Sequence, residues 1–356
     1  MKINKKHLFL TILLPIQIVL VQAAGKHPAI VEHYYSQGIY PIIAAFFRML
    51  FGWIPFSFGD VLLALLLFLF LRFVYKMFKN KFKNWLPKLV QLTAALSLLY
   101  GCFYLFWGLN YYRISLAKNL GYNQTEYTTQ QLLHTTSEVI EQLNYCHESI
   151  TQNDTLRVHN PYSSKKMYQM ALNGYKNLAH DFPALYYQYP SVKNSLMSGL
   201  QSYNGTAGYF NPLTGEAQVN DRIPKTSYPT TTCHEMAHQL GYAAENEANF
   251  IGFLAANYNE DVYFKYASYR MAFGYLIQEV RKRDPKTASE LWKKIHIGIL
   301  KDFQNSNQFW KAYQNPFEPW VKKGYNVYLK ANKQEKGTAS YNYVVDLLIS
   351  YFEEKS

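Results

Sequence analysis

Cysteine is scarce in this sequence, with Cys102, Cys146 and Cys233 the only three among 356 residues. An odd count without a close pair excludes a disulfide framework. Cys102 lies in an apolar run and Cys233 directly precedes a histidine; both read as small buried residues. Charge is scarce too, since Asp, Glu, Lys and Arg make up 17% of the chain. No glycine-rich phosphate loop, internal repeat or low-complexity segment is present, which excludes a nucleotide cradle and a solenoid. Acids are nearly missing from the first quarter. Residues 1–88 hold 11 of the 36 Lys and Arg but only 2 of the 24 Asp and Glu, so most of the formal charge of +12 sits there. That excess belongs to membrane-flanking segments. No basic face interleaved with aromatics remains elsewhere, which excludes nucleic acid as a partner.

Aromatics are plentiful, with 32 Tyr and 23 Phe, and long apolar runs fill the N-terminal third. Residues 1–25 are a transmembrane helix or a signal peptide. The stretch 8–24 is uncharged and follows Lys2, Lys5 and Lys6, while Val21-Gln22-Ala23 resembles a cleavage site. Residues 26–57 read as an extracytoplasmic loop with an interfacial helix, because the apolar stretch 39–58 holds Arg48 and is punctuated by Pro41 and Pro55. The alternative is a true span, which would reverse the side of everything downstream. Residues 58–75 are the strongest transmembrane helix, with Asp60 at its outer edge. Residues 76–88 form a basic cytoplasmic loop, and residues 89–109 a further transmembrane helix ending in an aromatic belt of Trp107, Tyr111 and Tyr112. Residues 110–356 are then an extracytoplasmic domain. The expected location is the inner (cytoplasmic) membrane, multi-pass, with membrane lipid as one partner.

The soluble part reads as mostly α with a small β-sheet (α+β). Thr128 and Gln131 form a capping box opening a helix with Leu132, Val139, Ile140 and Leu143 on one face. A second helix covers about 163–180. Residues 192–197 suggest a strand, Asn204-Gly205, Asn211-Pro212 and Thr214-Gly215 are turn signals, and residues 216–220 suggest an edge strand or half of a simple hairpin. Further helices are expected at 261–283, 286–302, 306–314 and 340–353.

The chemistry concentrates at His234-Glu235-Met236-Ala237-His238, an HExxH motif. Positions four apart lie one above the other on a helix, so His234 and His238 present two imidazoles to one point, as a zinc ion requires. Glu235 is placed to take a proton from water rather than to bind the metal. Pro229 suits the first turn of this helix. A third ligand is needed. In a straight helix Glu245 would lie ~10 Å along the axis from His238. The chain must therefore fold back, and Gly241 is suited to end the helix. Glu245 and Glu247 then point to opposite sides of a second helix. Helix periodicity favours Glu245, because Asn249, one turn on, is able to support a ligating histidine, whereas Ile251, one turn beyond Glu247, is apolar.

HExxH followed by an acid on the next helix resembles the glutamate-zincin metallopeptidases. His234, Glu235, His238 and Glu245 match that pattern, with Asn249 where those enzymes usually carry Asp and with an unusually short spacing. Metzincins do not fit, since their third histidine would fall at Ala244. The chain is more similar still to the bacterial membrane family catalogued as domain of unknown function 3810. The Trp107–Tyr112 run and the Gly208–Asn220 run carry that resemblance. It implies a zincin-like fold, a Zn2+ cofactor bound by His234, His238 and Glu245, and Glu235 as catalytic base. The expected activity is zinc-dependent hydrolysis of a peptide or protein substrate, with Tyr341 as the catalytic donor to the oxyanion. In zincins an edge strand beside the metal helix pairs with an extended substrate. The competing expectation is a non-catalytic envelope binding module whose zinc site is structural or degenerate, with Glu247 or Cys233 recruited as a fourth ligand.

Overall fold

Four helices occupy the first third of the chain in the computed structural model, which describes residues 3–122, 127–332 and 343–355. They are α1 (Lys5–Gly25), α2 (Tyr40–Gly52), α3 (Phe58–Lys79) and α4 (Trp85–Phe106); helices of eight residues or more are numbered. Side chains start two of them. Asn4 accepts from the Lys6 N–H (2.9 Å) and Ser57 from the Asp60 N–H (3.1 Å), each satisfying an N–H that the helix leaves unpaired. Helices α1, α3 and α4 are long and apolar enough to cross a membrane, and the apolar stretch of α3 is wholly unburied by protein. At 22 residues, α3 and α4 each run ~33 Å, against a hydrocarbon core of ~30 Å. The three indicate membrane association. Helix α2, with 13 residues, runs only ~20 Å and follows a π-helical stretch, Val31–Ile39. It buries Tyr40, Ala44 and Arg48 against the rest of the protein. The Arg48 guanidinium lies 4.9 Å above the Tyr187 ring.

The remainder is mostly helical around one small sheet. Helix α5 (Thr129–Thr151) begins with both halves of its capping box closed, and α6 (Ser164–Asp181) begins at Ser163. Strands β1 (Val192–Asn194), β2 (Gly208–Asn211) and β3 (Glu216–Val219) have the order β1-β3-β2. β1 runs parallel to β3 with Val192 opposite Ala217, and β2 runs antiparallel with Gly208 opposite Val219. The stretch expected at an edge, 216–219, is therefore the central strand: both its sides are paired and all four residues are buried. The edge strands are β1 and β2.

Helices α7 (Tyr228–Gln239), α8 (Glu245–Asn257), α9 (Val262–Arg283), α10 (Pro285–Trp292), α11 (Ile297–Ala312), α12 (Glu318–Ala331) and α13 (Val344–Lys355) follow. Helix α8 is the centre of the core. Its Phe250, Ile251, Phe253 and Leu254 are fully buried, and the same core holds Leu132, Met167, Phe273 and Leu348 from α5, α6, α9 and α13. A helix covered on every side is apolar on every side, and each such side chain contributes roughly 1.5–3 kcal/mol.

The sheet is joined to the membrane helices by a polar junction. Glu216 accepts from the Phe58 and Gly59 N–H groups at the start of α3 (3.2 and 2.5 Å) and from Thr214 Oγ1 (2.9 Å), and it pairs with Lys193 (2.8 Å). Lys193 also donates to the Phe51 carbonyl (2.6 Å). Asp60 accepts from Ser195 Oγ (3.0 Å), the Leu196 N–H (2.7 Å) and the Tyr209 hydroxyl. A carboxylate at a helix N-terminus is stabilised by the unpaired N–H groups it meets there. The strands are thereby held on the N-terminal end of α3.

Candidate metal centre

Helix α7 starts with Pro229 in its first turn and ends where Gly241 adopts φ +85°. Two constraints meet at Gly241. Its left-handed conformation favours glycine, and a Cβ there would lie 2.7 Å from the Tyr40 ring. The last carbonyls of a helix have no partner within it. Here side chains from the membrane-proximal segments supply partners. Trp107 Nε1 donates to the His238 carbonyl (2.9 Å), Tyr40 Oη to the Gln239 carbonyl (2.9 Å), and Arg113 Nη1 to the Gly241 carbonyl (3.1 Å). Arg113 is itself held by Glu32 (2.7 Å). The chain then reverses, and α8 begins at Glu245.

This reversal brings three donor atoms together. His234 Nε2 and His238 Nε2 are 3.1 Å apart, and Glu245 Oε2 lies 3.4 Å from the first and 3.8 Å from the second. Ligands at zinc bond lengths of ~2.0–2.1 Å in tetrahedral arrangement stand ~3.3 Å from one another. The observed triangle has that size, so these residues fit a zinc ion. His238 Nδ1 faces the Tyr242 carbonyl at 2.8 Å. A carbonyl only accepts, so Nδ1 carries the proton and Nε2 keeps its lone pair for the centre.

Glu235 lies beside the triangle, its donor oxygen within 4.8 Å of the imidazole nitrogens. Its neighbour is Gly208 at the start of β2. A Cβ at Gly208 would sit 2.6 Å from Glu235 Oε1 and 2.9 Å from the Gln218 carbonyl, so only glycine fits. Glu235 Oε2 and His234 Nδ1 are buried and make no hydrogen bond. Asn249 lies near enough to His234 to favour its protonated form, but no bond closes onto Nδ1.

Glu247 is turned the other way, accepting from the Leu116 N–H at 2.7 Å. Cys233 is packed in the apolar core, and burial pushes its thiol well up from the ordinary range. Tyr341, the donor expected from sequence, lies outside the described residues. A residue that sequence reading missed is Tyr325 on α12, which donates to Glu245 Oε1 (2.5 Å). Val321, Tyr325, Tyr328 and Leu329 have helical apolar spacing, the one signal that marks α12 in the sequence.

The electrostatics separate the two acids of the centre. Burial and the nearby Glu245 push Glu235 up to about 8, although His234 opposes this. Burial acts on Glu245 in the same sense, but His234, His238 and Tyr325 overcome it and hold the carboxyl down at about 2. Burial pulls His238 down to about 4. It lowers His234 as well, yet Glu245 and Glu235 outweigh it and leave that imidazole raised. Glu245 is thus ionised and His238 neutral, as a cation requires, whereas the raised His234 has to give up a proton to bind one. Burial also raises Glu247, to about 7, against the pull of the Leu116 N–H and Arg113.

The Trp107–Tyr112 and Gly208–Asn220 stretches are both walls of this centre. Trp107 holds the end of α7, and Gly208 abuts Glu235. In agreement, the chain belongs to the family described as Protein of unknown function (DUF3810), which matches residues 35–349. No curated protein and no solved structure matches it.

Proposed function

We propose that this member of the DUF3810 family is a membrane-anchored, zinc-dependent peptidase with a zincin-like domain, acting on peptides or proteins outside the cytoplasmic membrane. The observation that carries the reading is the His234–His238–Glu245 triangle, with separations of 3.1, 3.4 and 3.8 Å. A zinc ion held there supplies Lewis acidity to a water molecule and to a substrate carbonyl. Glu235, with a free buried oxygen beside the triangle, takes the proton of the attacking water and returns it to the leaving amine. The edge strand β2 orients an extended peptide by main-chain hydrogen bonds, and the bare backbone of Gly208 leaves Glu235 room at that edge. His238 stays in the ligating tautomer through Tyr242, and Glu245 is steadied by Tyr325.

A structural zinc site would need a fourth protein ligand. The two residues available in sequence, Glu247 and Cys233, are engaged by Leu116 and by the core, which favours the catalytic reading. Lys76, Lys79, Lys81, Lys83 and Lys88 cluster at and around the turn that joins α3 to α4. By the positive-inside rule that hairpin faces the cytoplasm, which puts the centre on the opposite side. The test is cleavage of a pool of peptides and envelope proteins by the purified full chain, read as new N-termini. Wild type should generate them, and Glu235→Gln should lose them at unchanged zinc content. Equal cleavage by both would overturn the assignment of the base.

A further inference from the structure

Helix α12 carries an apolar face that the protein leaves uncovered. Phe317, just before it, is 74% exposed, Trp320 74% and Val327 60%. At about 100° per residue these three lie along one side of the helix, flanked by Lys323 and Lys330, while the opposite side carries the buried Leu329 and the exposed Lys322, which pairs with Glu318 (2.5 Å). The helix touches the protein at few points: of its own residues only Leu329 is buried.

The contacts at its two ends place it relative to the membrane helices. At the C-terminal end, Asn332 Oδ1 accepts from the Tyr104 hydroxyl (2.9 Å), and the Tyr328 ring meets the Phe103 ring edge-on (6.3 Å). Tyr104 is two residues from the end of α4, about 3 Å along its axis. At the N-terminal end, Asn315 Nδ2 donates to the Tyr203 carbonyl (2.7 Å). Tyr203 ends a short segment whose first residue, Leu196, donates its N–H to Asp60 in the first turn of α3. Leu196, Leu200 and Tyr203 in that segment are exposed as well. Helix α12 is therefore anchored at the C-terminal end of α4 and reaches, through the 196–203 segment, towards the N-terminal end of α3.

We propose that α12 is an interfacial helix that seats Phe317, Trp320 and Val327 in the outer leaflet of the host bilayer, with Lys322 directed to water. Trp and Phe on one face, with lysines at its flanks, are the side chains such helices use at the headgroup boundary. The occupant is lipid because the helix that carries the patch is anchored at the end of α4, which with α3 is apolar enough to cross a membrane. The proposal rests on α3 and α4 crossing the membrane and is independent of hydrolysis. It also places the helix that carries Tyr325, the partner of Glu245, on the membrane surface.

The test is Trp320→Cys in the full chain, labelled with an environment-sensitive fluorophore and reconstituted in liposomes. Cys102 is replaced by Ala, and the buried Cys146 and Cys233 are left in place. Lipids carrying a nitroxide near the headgroup should quench the label at 320 about two-fold or more above the label of Lys322→Cys, and aqueous iodide should show the reverse order. Val327→Cys should repeat the result at 320. Iodide reaching positions 320 and 322 equally would overturn the proposal. So would a label at 320 shielded from lipid and iodide alike, which would mean that protein covers the face.

Discussion

Two buried polar clusters, one at the centre and one at the junction with α3, contain the same chemistry in opposite states of completion. At the junction both oxygens of Glu216 and both of Asp60 are engaged, by backbone N–H groups, hydroxyls and Lys193. At the centre Glu235 Oε2 and His234 Nδ1 have no partner, and the two imidazole Nε2 atoms face each other at 3.1 Å. Native interiors seldom leave polar atoms unpaired, and exceptions call for an explanation. The difference is what the proposed reading rests on: the saturated cluster serves as scaffold, and the unsaturated one is the candidate to receive a cation. Burial alone does not separate them, because Glu216, Glu235, Glu245 and Glu247 are all buried.

If the clusters divide the work this way, breaking the junction should cost stability and leave metal binding intact. Glu216→Ala strands Lys193 and two helix N–H groups, and removing one partner of a buried pair costs about 3–5 kcal/mol. Thermal unfolding in detergent should show this loss, with zinc content per folded chain unchanged. Loss of zinc from folded Glu216→Ala would merge the two clusters into one. Crowding the centre should do the converse. In Gly208→Ala the new Cβ displaces Glu235, and a shift of about 1 Å in a catalytic group costs on the order of 100-fold in rate. Hydrolysis should fall by that much while zinc content per folded chain stays near wild type, and the clash with the Gln218 carbonyl should lower the unfolding temperature as well.

A smaller effect sharpens the comparison from within the centre. Tyr325→Phe removes the hydroxyl on Glu245, and such outer partners are worth about 10–100-fold in metal affinity or activity. Chelator competition should show weaker zinc binding, and an unchanged affinity would make the contact incidental. The smallest effect concerns pH. Burial raises Glu32, but Arg113, Gln37 and Asn119 overcome it and hold the carboxyl below its ordinary value. A depressed folded value means that the stabilisation is present above the unfolded pKa of about 4.3 and is lost as pH falls through the folded value. Unfolding curves of wild type and Glu32→Gln should therefore be furthest apart above the unfolded value and draw together as pH falls below it through the folded one.

Much of the centre is legible in the sequence because it is local. The four-residue spacing of His234 and His238 needs only helix geometry. The fold-back at Gly241 follows from distance, and the structure starts α8 at Glu245. The capping box at Thr128 and Gln131 is read in the same local way. What the sequence hides is long-range. Trp107 and Tyr40 cap the end of α7 from more than a hundred residues away, and Tyr325 reaches Glu245 across 80. Nothing in their own neighbourhoods marks these partners. The central place of β3 was obscured for the same reason, since a four-residue strand does not disclose how many neighbours it pairs with. Helix α12 escaped notice because Pro319, Gly324 and three lysines interrupt its apolar pattern.

The central claim is that two imidazoles and the carboxylate of Glu245 bind one cation. The direct measurement is zinc per chain, by elemental mass spectrometry, in the purified full-length protein and its variants. The account expects one zinc in wild type and in Glu247→Ala, and close to none in His238→Ala and Glu245→Ala when each is folded. Equal zinc in all four, or loss from Glu247→Ala alone, would contradict it.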